Sequence, residues 1–326
     1  MNESTLTEIL RKGLGTGVDP VMRSCHIRKW SVIYEFRSGS DDFILKMPNP
    51  YGKKLRRIGR IQPTEQLVRE ARNEWESLTE LYDQTRNPEC PIAFVEPVTF
   101  LEAVPAVVTR KVEGRDFYRF HLLRKRADDV LRNKKILWSI GKAFGFLHLN
   151  NPVGTQPMAF GEVSLGDTRL DEIGGSLFKS ATGAMAPTVR AMQGFSITDV
   201  LVTPKEEVYF LDPGKMDETA IYRDLAKLIA ELTKALKPRT LFSSRECEPG
   251  YEAAFLEGYM DGGIELDHAM LDLCVSELLG REMLRQRGKP AKKFTVSSFI
   301  GALGRSRNVE AFYLSEIDRR LKKYRM

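Results

Sequence analysis

The rhythm of apolar and polar positions changes about a third of the way along the chain. Up to Lys111 the apolar residues come in short runs. Trp30–Phe36 (WSVIYEF) is rich in β-branched and aromatic residues and predicts a strand. RSGSDD then supplies a turn in which Gly39 can take a positive φ. Asp42–Pro48 (DFILKMP) follows as the hairpin partner, Val21–Lys29 is a weaker strand candidate ahead of it, and Phe94–Leu101 and Ala106–Lys111 are two more. Between these runs, Pro63–Gln84 sets Leu67, Ala71, Trp75, Leu78 and Leu81 at helical spacing, with Pro63 suited to a first turn. A short helix at Ser4–Arg11 leads into Gly13, Gly15 and Gly17. No apolar strand precedes these glycines, so they predict a helix C-cap and loop rather than a phosphate cradle.

From about Asp116 the period becomes helical. Phe117–Leu131, Lys135–Asn150, Ile221–Leu236, Glu252–Gly262, Leu266–Leu279 or beyond, and Val309–Tyr324 are the predicted helices. Pro152–Pro187 is rich in Gly, Ser and Thr and predicts loop with one short helix near Leu177. Met192–Gly214 interrupts the helical part. It predicts a tight loop, a strand Val200–Thr203, a turn, and a strand Val208–Leu211 that ends in Asp212.

Composition narrows the class. The 326 residues, 42% hydrophobic and 29% charged, suit a globular chain long enough for two lobes. Cys25, Cys90, Cys247 and Cys274 are scattered, which suggests neither a disulfide framework nor a zinc site and points to a reducing compartment. The polar start MNESTLTEILRKG lacks a signal peptide's apolar core, and no run approaches the ~18 apolar residues of a membrane span. A cytoplasmic protein is expected. The net charge of +6 gathers in Lys53–Arg60, Arg281–Lys293 and Asp318–Arg325. Solvated faces explain these clusters more simply than an anionic partner does. Aromatic residues do not interleave them, so nucleic-acid binding is not supported.

Five residues carry candidate chemistry. Lys46 lies inside an apolar strand, where an ammonium is costly unless it meets a partner. Glu70 and Glu74 share a helix face one turn apart. Asp199 and Asp212 bracket the hairpin, a good place to hold Mg²⁺ and phosphate oxygens. Taken singly, each has a plainer reading. Lys46 could snorkel from a strand edge, Glu74 could face solvent, and Asp199 and Asp212 could be turn-formers. His148 suits a helix end or core.

The ordered set resembles the protein-kinase-like fold, in particular its aminoglycoside and choline phosphotransferase branch. DFILKMP is similar to the strand bearing the nucleotide lysine, and NEWESLTEL to the helix whose glutamate pairs with it, here Glu74. VVTRKVEGRDF resembles the hinge between lobes, where backbone of Arg110, Lys111 and Val112 would meet adenine. IGKAFGFLHLN, SITDVLVTPKEEVYFLDPG, YRDLAKLIAEL and FLEGY resemble later segments of the branch, and the likeness spans about residues 20–260. It implies an α+β, two-lobed fold: an antiparallel-sheet N-lobe at 1–108, a hinge at 109–114, and a helical C-lobe at 115–326 with a catalytic and metal hairpin at 192–214. ATP would lie between the lobes. Lys46 would hold its phosphates, Glu74 would orient the lysine, and Asp212 and Asp199 would ligate Mg²⁺.

The departure is at the base. The branch reads HGDxxxxN, and counting back from Asp199 its His, Gly and Asp fall on Met192, Gln193 and Gly194. No Asp, Glu or His lies from Arg190 to Thr198. The resemblance with this loss implies an ATP–Mg-binding pseudokinase. The alternatives are an active phosphotransferase or nucleotidyl transferase with an unconventional base, Asp199 being a possible substitute, and a non-catalytic binder of an anionic partner. The acceptor, small molecule or protein, is left open. Pro152–Pro187 and Leu241–Lys293 are where the branch chooses it, with Asp167, Asp171 and Glu172 as candidates for a cationic acceptor.

Overall fold

The structure is a computed structural model that describes residues 3–15, 17–52, 63–122, 127–160, 167–236, 250–287 and 296–324. The chain forms two compact units. The first comprises residues 1–116, 192–195 and 199–216, and the second 117–191, 196–198 and 217–326. The fold class is α+β, one unit built on an antiparallel sheet and the other mainly helical.

The sheet of the first unit has five strands: β1 (Val21–Ile27), β2 (Ser31–Ser38), β3 (Asp41–Pro48), β5 (Pro97–Leu101) and β6 (Ala106–Arg110). Their order is β1-β2-β3-β6-β5, and every pair is antiparallel. Alternation along β3 decides its faces. Phe43, Leu45 and Met47 are buried on one face together with Val32 and Phe36 of β2 and Val108 of β6. Helix α1 (Glu3–Leu14) covers that face with Leu6 and Leu10. Lys46 points to the other face, paired in register with Ile33 and Val107. Helix α2 (Glu65–Thr85) starts at Thr64, whose hydroxyl accepts from Leu67 N–H at 3.3 Å, so Pro63 precedes the cap instead of lying in the first turn. A second sheet of this unit pairs the short strands β4 (Ala93–Phe94), β11 (Val208–Phe210), β10 (Val200–Val202) and β7 (Arg115–Asp116) in that order. The predicted single strand at 94–101 is thus two strands, one in each sheet.

In the second unit, the two helices predicted over 117–150 are a π-helical turn (Tyr118–Leu122) and one 24-residue helix, α3 (Ala127–Asn150). Helix α6 (Tyr251–Met260) packs on α3 almost backbone to backbone. A Cβ on Gly141 would lie 1.9 Å from the carbonyl oxygen of Phe255, and one on Gly258 would lie 2.0 Å from that of Trp138. Those contacts explain the glycines in IGKAFG and FLEGY. Helices α5 (Ile221–Leu236), α7 (His268–Arg287) and α8 (Val296–Leu321) complete the bundle.

The Pro152–Pro187 region holds the helix expected near Leu177, α4 (Thr168–Ala181), but differs from the expected loop in also holding β8 (Pro152–Pro157) and the start of β9 (Met185–Gly194), which pair antiparallel. Strand β8 is exposed along its whole length, so no apolar alternation marks it. Of the basic clusters, Lys53–Arg60 lies outside the described residues, as do Cys247 and the end of Arg281–Lys293. In the last cluster Arg320 is fully buried, bonded to Glu252 and Asp272, and Lys323 also reaches Asp272 at 3.0 Å. Arg320 thus holds α8 to its neighbours, whereas Arg319, Lys322 and Lys323 of the same cluster are exposed as expected of a solvated face. Among the described residues, no helix is long and apolar enough to cross a membrane.

Candidate functional site

The β3 lysine has its partners in the first unit. Lys46 Nζ donates to Glu74 Oε1 at 2.9 Å and to Asp212 Oδ2. These residues stand 28 and 166 positions away along the chain. Helix α2 delivers Glu74, and the end of β11 delivers Asp212. Of the two glutamates one turn apart, it is Glu74 that meets the lysine. Glu70 accepts from Gln66 on the surface.

The segment after Asp212 is tied down at three points. Asp212 Oδ1 accepts from Gly214 N–H at 3.0 Å. Met216 N–H donates to the hydroxyl of Ser77, one turn past Glu74 on α2, at 3.1 Å. Gly214 has φ +65° and lies against the chain at Gln193, so that a Cβ would come within 1.9 Å of the Gln193 carbonyl oxygen. Glycine is required there twice over, by conformation and by space. Strand β12 (Gly214–Ala220) continues from it.

Burial and charge pull against each other in the triad. Burial disfavours the Lys46 ammonium, but the charges of Glu74 and Asp212 outweigh it and hold the lysine protonated well above its ordinary range. Burial pushes the Glu74 carboxyl up to about 7. Lys46 opposes that rise and the nearby Asp212 charge adds to it. The site is therefore a half-buried cation shared by two acids, with the Glu74 carboxyl raised toward neutrality.

Asp199 ends a 3₁₀ turn (Ile197–Asp199), and its main-chain oxygen accepts from Leu211 N–H at 2.9 Å. Since Leu211 precedes Asp212, both carboxylates are carried at the same end of the β10–β11 pair. Among the described residues no group of three or more metal-ligating side chains forms. Two carboxylates suit Mg²⁺, which is commonly held by one or two protein oxygens plus substrate phosphates. A closed protein cage for a metal is not built here.

Gly194 is exposed and sits at φ +102°, and a Cβ added to it would meet only the Gly214 Cα, at 4.0 Å. The sequence offers no acid near it. The fold supplies one to the residues that follow. Glu231 of α5 accepts through Oε2 from the Ser196 hydroxyl at 2.9 Å and from Ile197 N–H at 2.8 Å. Ser196 Oγ in turn accepts from Thr198 N–H at 3.3 Å and the Thr198 hydroxyl at 3.0 Å. Sequence reasoning missed Glu231. Its one signal was an acid set between Ala230 and Leu232, both buried, on the apolar helix α5.

Other named residues fall as follows. Arg110 N–H donates to Glu96 O and Lys111 N–H to Asp42 O, both at 2.9 Å, so these two N–H groups are committed to the sheet. The Arg110 side chain pairs with Glu96 and Asp41, and Lys111 with Glu35 and Glu113. His148 is buried, with Nδ1 at 2.9 Å from the Tyr259 hydroxyl and Nε2 at 3.1 Å from Asp224. Asp224 thus fixes the histidine at the end of α3. Asp167 caps α4, accepting from Leu170 N–H at 3.1 Å, which accounts for its carboxylate.

No family model matches the sequence, and no curated protein matches it significantly. Solved structures do match in fold. A Ralstonia eutropha protein provisionally assigned as an aminoglycoside phosphotransferase aligns with TM-score 0.59 at 12% identity, over 100% of this chain and 99% of its own. Macrolide 2'-phosphotransferase from Brachybacterium faecium aligns with TM-score 0.54 at 13% identity, covering 95% and 97%. An amicoumacin kinase solved with AMP-PNP and Ca²⁺ gives 0.52 at 13%, covering 95% and 94%. Together with the sheet and helical units described above, these alignments show that the chain has the protein-kinase-like fold of the small-molecule phosphotransferases.

Proposed function

We propose that the protein binds a nucleoside triphosphate with Mg²⁺ through Lys46, Glu74, Asp199 and Asp212, as a kinase-like relative of the small-molecule phosphotransferases that has lost the base at position 194. The observation carrying this reading is the Lys46–Glu74–Asp212 ion triad, assembled from three distant parts of the chain. A half-buried lysine needs one partner; this one has two, and the second lies on the hairpin expected to hold metal. Lys46 would turn from Asp212 to the phosphates, with Glu74 keeping its direction. Mg²⁺ on Asp212 and Asp199 would offset the phosphate charge. With Arg110 and Lys111 N–H groups already used, Val112 is the hinge residue left to meet a nucleobase.

Binding should raise the melting temperature of the protein in ATP and Mg²⁺, by linkage to the folded state. Lys46→Ala should remove that rise. A wild-type protein whose melting does not respond, or a Lys46→Ala variant that responds fully, would sink the assignment.

Gly194 favours a regulator or scaffold over an efficient transferase, because a positioned base is typically worth ~10²–10⁴ in rate. A second reading, an active transferase with an unconventional base, is favoured by Asp199, which stands at the same end of the β10–β11 pair as Asp212 and could itself take the proton. Radiolabelled ATP with a panel of amino-alcohols, sugars and proteins separates the two.

A further inference from the structure

One end of the five-stranded sheet in the first unit gathers apolar and cationic side chains that the ion triad does not use. β1 is the outermost strand. The turn from it into β2 is Arg28-Lys29-Trp30, closed by the Arg28 N–H bond to Ser31 O at 2.8 Å. Asn49, buried just past β3, knots this turn to the loop that follows β3. Its N–H donates to Trp30 O at 2.8 Å, its Nδ2 donates to Arg28 O at 2.7 Å and to Gly52 O at 3.0 Å, and its Oδ1 accepts from Tyr51 N–H at 3.1 Å. Two loops are thus fixed as one tip.

The tip exposes side chains that a folded chain ordinarily buries. Trp30 is 74% exposed, Tyr51 48% and Ile27 42%. Apolar residues scattered singly on a surface are ordinary; three on one rigid tip mark an interaction site. Arg28 and Lys29 are exposed among them, and no acid lies in Ile27–Ser31 or Pro48–Gly52. The residues that follow Gly52 in sequence, Lys53–Arg60, carry five more cations. A nucleic acid would stack its bases on an aromatic face, but Lys29 Nζ already sits 4.0 Å over the centre of the Trp30 ring. A protein interface is depleted of lysine at its core, whereas here a lysine lies on the central tryptophan. An anionic bilayer suits both kinds of side chain: Trp and Tyr settle at headgroup level, and Lys and Arg are drawn to the surface charge.

We propose that this tip docks the protein on an anionic membrane surface, with Trp30, Tyr51 and Ile27 entering the headgroup layer and Arg28 and Lys29 meeting lipid phosphates and carboxylates. The docking needs no nucleotide, so it stands or falls apart from the reading of Lys46.

Co-sedimentation of the full-length protein with vesicles tests this. Without ATP, it should bind vesicles of equal parts phosphatidylcholine and phosphatidylserine far better than vesicles of phosphatidylcholine alone, and added salt should release it. Tryptophan emission should move to the blue on binding, as Trp30 leaves water. Trp30→Ala should abolish that move and weaken binding by about 10-fold or more. Arg28→Ala and Lys29→Ala should each weaken it by about 5-fold. All three side chains are exposed, so the melting temperature should stay the same, and Lys179→Ala, which removes an exposed cation of the second unit, should leave binding unchanged. The proposal is overturned if the wild type does not prefer the anionic vesicles, if Trp30→Ala keeps wild-type affinity, or if Lys179→Ala loses as much as Lys29→Ala. Should Trp30→Ala not fold, the two cation variants decide. Trp30-dependent binding of a labelled single-stranded RNA, with no binding to vesicles, would overturn it in favour of a nucleic-acid site.

Discussion

Gly214→Ala isolates how tightly the Asp212 loop is built, and Gly39→Ala is its control. Both glycines have nearly the same backbone conformation, φ +65° and +63°. An alanine at either pays for the left-handed conformation, about 1 kcal/mol. Around Gly39 nothing lies within 4 Å of the added methyl, so that is the whole effect. At Gly214 the methyl would lie 1.9 Å from the Gln193 carbonyl oxygen and 3.0 Å from its carbon. Both atoms are backbone and cannot rotate away, which adds the ordinary overpacking penalty of about 1–3 kcal/mol. Gly214→Ala should therefore destabilise by about 2–4 kcal/mol against about 1 for Gly39→Ala. Urea unfolding followed by tryptophan fluorescence measures both, since Trp30 and Trp75 lie in the same unit as the two glycines. The shift should also disturb the Gly214 N–H bond to Asp212, so the ATP-induced rise in melting should shrink for Gly214→Ala and persist for Gly39→Ala. Equal stability losses in the two variants would refute the close approach of Gly214 to Gln193.

Three further outcomes are expected. The raised Glu74 carboxyl binds its proton more tightly in the folded than in the unfolded chain, so its stabilising contribution is complete below pH 4.5 and fades as pH rises to about 7; the difference in unfolding free energy between wild type and Glu74→Gln should fall across that window and level off above it, and a flat difference would contradict the burial of this acid. Gly258→Ala forces a methyl to within 2.0 Å of the Trp138 carbonyl oxygen and should cost about 1–3 kcal/mol in urea unfolding; an unchanged midpoint would mean that α3 and α6 are not in backbone contact. Asp212→Asn should abolish the ATP–Mg²⁺ effect on melting, and any turnover that survives it would rule out Asp212 as a metal ligand.

What could be read from the sequence was set by local periodicity. β3 was legible because Phe43, Leu45 and Met47 alternate with Lys46, and α5 because its apolar stripe is regular from Ile221 to Leu236. Lys46 drew notice because an ammonium in such a strand must find a partner. Its partners on α2 and after β11 could be named only through the order of segments along the chain, since no spacing rule links residues 46, 74 and 212. β8 was illegible because it is exposed on both faces and carries Gly154 and Thr155 where an apolar residue would mark an inward position. Glu231 was illegible for a different reason: its role depends on a contact 35 residues away that only the tertiary fold creates. Ion-pairing of Arg320 was hidden in a run that looked like a basic surface.

The back of the five-stranded sheet has a bearing on the front. Because side chains alternate strictly along a strand, the face that Leu6 and Leu10 of α1 grip also sets the reading frame of β3. A slip of one residue would turn Leu45 and Met47 toward Glu74 and drive the Lys46 ammonium into the apolar layer beneath α1. Helix α1, packed on the face opposite Lys46, thus acts as the proofreader of the charge at the centre of the site.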